Sequence, residues 1–215
     1  WAIELDDLLG QSKVIAEAWD AAGLYQIGTF PGARWAEWNG KYRDCIRNFI
    51  KGKPGIIGEV AGRVTGSADL YQGRHHEPTN SVNFVTAHDG FTLYDLTAYN
   101  EKHNWANGEG NNDGIDDNVS WNCGAEGETS DQWINDLRKR QVKNFATIHM
   151  LSMGVPMMVA GDEFMRSQGG NNNTYCHDNE INWFDWNKIQ QPECQEMIRF
   201  WSMLMEKRKL FIDHF

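Results

Sequence analysis

With 215 residues, 40% of them hydrophobic, the chain can bury one sizeable core, which excludes disordered and fibrous classes and demands no second domain. A formal charge of −10 argues against a nucleic-acid partner, because phosphate binding needs clustered cations. The basic runs Arg138-Lys139-Arg140 and Lys207-Arg208-Lys209 lie in helical patterns and are expected to be solvated faces.

No run of 18 apolar residues and no leader-like N-terminus is present, so neither a membrane span nor a signal peptide is predicted. Starting at Trp1 rather than Met, the natural sequence is expected to begin further upstream. Cys45, Cys123, Cys176 and Cys194 form no C-x-x-C pair, which excludes a zinc ribbon or a dense disulfide framework and fits a reducing cytoplasm.

In chain order, residues 14–18 read as a buried strand that reaches Glu17 and then Asp20. Residues 20–39 read as a long Gly- and Trp-bearing loop. Tyr42, Cys45, Ile46, Phe49 and Ile50 follow at i, i+3, i+4, i+7 and i+8, one apolar stripe of a helix. A second strand, 82–87, runs into His88 and Asp89, and a second long loop covers 97–128. Thr129 and Gln132 have capping-box spacing ahead of a helix that buries Ile134, Leu137, Val142, Phe145, Ile148 and Leu151, and Gly154 and Pro156 stop it. A third strand, 155–160, runs into Asp162 and Glu163. The loop 166–186 precedes a last helix that follows Pro192 and turns Met197, Trp201, Leu204 and Met205 inward.

Strands alternating with helices predict an α/β fold with a parallel sheet, and ionisable residues at several successive strand ends are the mark of a (β/α)-barrel active face. A doubly wound open sheet is the alternative, but no Gly-x-Gly-x-x-Gly turn follows a strand, which disfavours a dinucleotide-binding version. A complete barrel takes roughly 250 residues. The expectation is therefore part of a barrel.

Ten Trp, ten Phe and six Tyr, many in polar loops, suit sugar faces as readily as loop packing. Glu17, flanked by Ala16, Ala18 and Trp19, is expected in an apolar pocket suited to a general acid; pairing with a basic neighbour is the plainer alternative. His88 and Asp89 can hold vicinal hydroxyls or a metal. The added histidines His75 and His76 lack matching ligand spacing, so no metal site is assigned and no cofactor is predicted. NNDGIDDN, 111–118, lacks the order of a calcium-binding helix–loop–helix and reads as hydrogen-bonded turns.

Six segments carry a resemblance: VIAEAWD (14–20), EWNGKYRD (37–44), NFVTAHDGFTLYD (83–95), NNDGIDDNVSWNCGAEGET (111–129), GVPMMVAGDE (154–163) and GNNNTYCHDNEINWFDW (170–186). In this order and spacing they resemble the isoamylase and glycogen-debranching group of the α-amylase family, along essentially the whole chain. The resemblance implies a retaining hydrolase of α-1,6 branch linkages acting on a branched α-glucan, cytoplasmic or, in a plant or alga, plastidial. It also implies barrel strands five to eight. Glu17, after the fifth, matches the acid/base; Asp89, after the seventh, matches the carboxylate that grips sugar hydroxyls and stabilises the transition state; and His88 matches a sugar-binding histidine.

Trp38 and Asn39 would end the sixth strand, and Asp162 the eighth. Residues 2–9 read as the helix before the fifth strand, which places the family's fourth-strand nucleophile before residue 1. Trp105, Asn172, Asn173 and Tyr175, together with Trp38 and Asn39, are expected to line the glucan cleft. Two other readings stand beside this one: a non-catalytic glucan-binding member of the same family, and a metal-dependent hydrolase using His88 and Asp89.

Overall fold

The computed structural model describes residues 2–212 except 4, 21, 31, 33 and 73–75. Its centre is a parallel four-stranded sheet in sequential order: β1 (Val14–Ala16), β2 (Trp35–Asn39), β3 (Ser81–Phe84) and β4 (Val155–Met157). The register aligns Ala16 with Glu37, Trp38 with Val82, and Phe84 with Met157. Helices α1 (Gly40–Ile50), α2 (Ile57–Val64) and α3 (Ala68–Tyr71) follow β2; α4 (Gln132–Leu151) follows β3, and α5 (Pro192–Ile212) follows β4. The α/β class and the parallel sheet agree with the periodicity. No helix among the described residues is long and apolar enough to cross a membrane.

The main core lies in the helical layer, where Tyr42, Ile46, Val142, Phe145, Met197 and Trp201 pack against the segment that follows β3. The opposite sheet face is thinly covered at its ends: Ile15 is 54% and Val155 is 42% exposed.

Several expectations change. β2 lies inside the stretch read as a loop. Its signature was masked by Glu37, a charged residue at a position only 1% exposed. That carboxylate is satisfied by the backbone N–H groups of Gly28 and, at 3.1 Å, of Phe30, so a buried acid here ties the preceding loop to the strand. Residues 2–9 form no α-helix among those described; Leu5 and Leu8 are exposed, and a segment this short needs a packed apolar face to stay helical. Helix α4 is capped by Asp131, whose side chain accepts from Trp133 N and Ile134 N, and not by Thr129. At the ends of the predicted stripes Phe49, Leu151 and Met205 are exposed.

The basic runs are not uniformly solvated either. Arg138 is fully buried and donates to the carbonyls of Ala98, Asn122 and Ala125. Arg208 donates to the carbonyls of Met150, Ser152 and Gly154, which absorbs the orphan acceptors at the end of α4. Gly154 then turns the chain into β4 at φ +112°, where a Cβ would meet Asn83 Nδ2 at 2.8 Å and Ser81 O at 2.9 Å. Helix α4 itself ends at Leu151, so this glycine governs the entry into β4 and not the last helical turn.

Candidate active site

In a parallel sheet all carboxyl ends share one edge, and here that edge collects the ionisable residues. Glu17 follows β1, Trp38 and Asn39 close β2, His88 and Asp89 follow β3, and Asp162 follows β4. Beside β3 and β4 lies a cleft of about 680 Å³ whose lining includes His88, Asp89, Arg166, Asn173, Tyr175 and Phe184. His88 and Asp89 are exposed to it.

The floor next to this cleft is aromatic. The Trp38 ring lies 5.7 Å from His88 and 5.6 Å from Phe84, and Trp19 stacks on Phe84 at 6.2 Å. Across the cleft the Arg166 guanidinium sits 4.7 Å from the Phe184 ring centre and donates to Asn182 O and Oδ1. At the rim, Tyr175 gives its hydroxyl hydrogen to Glu109 at 2.7 Å, and that carboxylate pushes the phenol up to about 12. Asn173 donates to Asp113 at 2.9 Å. Donation from Asn107 and Asn173 holds the Asp113 carboxyl below the usual carboxylate range.

Beneath the cleft two carboxyls join the strand-following segments. Asp162, 2% exposed, accepts from Thr86 Oγ1 at 2.5 Å and Leu93 N at 3.0 Å. Asp95, wholly buried, accepts from Ser167 Oγ at 2.5 Å and Gln168 N at 2.8 Å. Burial pushes each of these acids up to about 6. Asp95 and Phe184 lie in the segments 83–95 and 170–186 and Arg166 and Gln168 in the loop 166–186, but no local pattern singles out these four side chains, because irregular loops carry no periodicity.

Of the expected site residues, His88, Asp89, Asn173 and Tyr175 meet around one cleft, and Trp38 touches His88. Glu17 is exposed, which corrects the apolar pocket expected for it: strand alternation sends Ala16 and Ala18 into the opposite face, so its neighbours in sequence are not its neighbours in space. Asn39 is fully buried; its Oδ1 caps α1 by accepting from Tyr42 N, and its Nδ2 donates to Ser67 and Ser81. Asn172 is 2% exposed and bound within the loops, whereas Trp105 is 68% exposed and lies outside the cleft lining. His75 falls outside the described residues. Among those described, no three His, Cys, Asp or Glu side chains converge as metal ligands, and all four cysteines are free thiols.

No family model matches the sequence. Individual proteins do: over 207 residues the chain is 55% identical to the isoamylase 3, chloroplastic, of Oryza sativa subsp. japonica, covering 96% of this chain and 26% of that protein. It is also 53% identical over 190 residues to a glycogen operon protein GlgX homolog of Mycobacterium bovis, covering 88% of this chain and 26% of that one. The chain belongs to the isoamylase and glycogen-debranching group of the α-amylase family.

Among solved structures, a Paenibacillus barengoltzii pullulanase crystallised with maltohexaose and α-cyclodextrin superimposes with a TM-score of 0.64 at 25% identity, covering 91% of this chain and 28% of that one. The isoamylase-group chain described here thus spans about a quarter of the length of the relatives it matches.

Proposed function

We propose that the chain forms strands five to eight of a (β/α)₈ barrel in a retaining α-glucan debranching hydrolase that cleaves α-1,6 branch linkages. The observation that carries this reading is the common edge: Glu17, His88-Asp89 and Asp162 follow three strands of one parallel sheet on the side where barrel enzymes keep their active sites. The thinly covered face around Ile15 and Val155 supports a barrel interior completed by further strands.

In this mechanism Glu17 protonates the departing glycosidic oxygen and later takes a proton from the attacking water. A second carboxylate about 5 Å away forms the glycosyl-enzyme intermediate, and we assign it to the family's fourth barrel strand, outside this sequence. Asp89 and His88 hold ring hydroxyls, Asp89 most strongly as positive charge develops on the sugar. Trp38 offers an aromatic wall beside them, and Tyr175 and Asn173 line the cleft further out. The mechanism takes no cofactor or metal, its partner is the branched α-glucan, and its compartment is the cytoplasm or a plastid.

The test is Glu17→Gln in the longer natural protein, assayed by reducing ends released from a branched glucan. The expected loss in kcat is about 10²- to 10⁴-fold, with oligosaccharide affinity retained. Near wild-type turnover would remove Glu17 from the mechanism. A wild-type protein that binds glucan and never cleaves it would favour the non-catalytic reading.

A further inference from the structure

Among the described residues no side chain or backbone group donates a hydrogen bond to the Asp89 carboxylate, so its aim depends on the backbone that carries it. The next peptide is pinned: the Gly90 N–H donates to the carbonyl of Asn172 at 2.8 Å. Asn172 is itself immobilised from the other side. Its Nδ2 hydrogens go to Ile115 O at 2.7 Å and Asn118 Oδ1 at 3.0 Å. Its Oδ1 accepts from Asn104 Nδ2 at 2.8 Å, and its backbone N–H donates to Asn104 Oδ1 at 2.9 Å.

Both amide hydrogens are therefore used inside the protein, in a residue 2% exposed, and none remains for a sugar. Gly114, at φ +74°, presses against this pair so closely that a Cβ would fall 2.3 Å from Asn172 Oδ1 and 2.8 Å from Asn104 Nδ2.

We propose that Asn172 is a positioning residue for Asp89. It transmits the rigidity of segment 104–118 through one backbone hydrogen bond to the peptide beside the sugar-gripping carboxylate. The inference rests on the reading of Asp89 given above and reassigns Asn172 from cleft wall to the support behind it. Displacing a carboxylate by about 1 Å is enough to cost up to roughly 10²-fold in rate.

The experiment is a double-mutant cycle in the longer natural protein with Asn172→Ala, Asp89→Asn and the pair, reading kcat and KM on a branched glucan together with melting temperature. Asn172→Ala should lower kcat about ten- to hundredfold with KM little changed, and should add less than about threefold in the Asp89→Asn background, because the two act through one group. Losses that multiply overturn the proposal, as does an effect confined to KM or to melting temperature. If Asp89→Asn alone keeps full activity, the reading of Asp89 fails and the inference with it, and that single variant identifies the failure. Should Asn172→Ala not fold, Asn118→Ala, which removes one acceptor of the Asn172 amide from its outer side, takes its place in the same cycle and must meet the same criteria.

Discussion

The two outer strands of the sheet are each followed by an acid, and the surroundings of those acids are opposite. After β1, Glu17 stands in solvent next to Ile15, which is 54% exposed. After β4, Asp162 is buried and takes two hydrogen bonds from the segment that follows β3. Both motifs read alike, an apolar run ending in a carboxyl. The difference lies in cover: at β4 the α4 residue His149 bonds to Met157 O and, with Phe145 and Trp201, lines the same small cavity as Met157, while β1 lies at the edge of the sheet and pairs with β2. A strand end decides where a carboxyl is placed, and the neighbouring elements decide whether it is wet or dry.

The covered side can be broken first, and that should have the largest effect. Phe145, 3% exposed in the helical layer, should cost about 3–5 kcal/mol as Phe145→Ala, measured by denaturant unfolding. A loss below about 1 kcal/mol would mean that this layer does not carry the stability.

A smaller effect tests the dry carboxyl. Asp162 goes from 3.8 to about 6 on burial, so its contribution to stability is fully present below 3.8 and is lost as pH rises through 6, on the order of 3 kcal/mol. His149, buried and donating Nε2–H to Met157 O, has its pKa lowered to about 4; its contribution has the opposite sign, present above 6.5 and lost as pH falls toward 4. The stability difference between wild type and Asp162→Asn, followed from pH 4 to 7, isolates the first slope. A flat difference contradicts the upward displacement of the buried Asp162 carboxyl.

The smallest effect belongs to the open side. Ile15→Ser should change the stability of the 215-residue chain by no more than about 0.5 kcal/mol, in keeping with a half-exposed position. In the longer protein the same change should cost about 2–4 kcal/mol, because the barrel proposed above would bury the side chain. Equal costs in both would count against strands closing over this face.

Sequence reading located the acids and most of the helices because both leave local marks: apolar runs of strand length, and a stripe at Tyr42, Cys45 and Ile46 that proved to be core. It missed α2, whose Gly58 and Gly62 lower its helix propensity and which is held mainly by packing. It misjudged Arg138 and Arg208, since nothing in a run of cations tells which one will turn inward to backbone carbonyls 13 to 58 residues away. Asn39 and Asn172 were recognised as polar groups at functional strand ends and loops, but the partners that take up their side-chain N–H groups, and the Asn104 amide on Asn172, lie 28 to 68 positions away and leave no local trace.

The amide pair Asn104–Asn172 closes a span of 68 residues, and the Asp95–Ser167 bond closes 72. Such distant closures are entropically expensive until the intervening chain is already compact. The wall behind Asp89 therefore depends on two segments being held together across much of the chain, a closure that local structure alone does not supply, and a change that loosens it can reach Asp89 without first unfolding a helix.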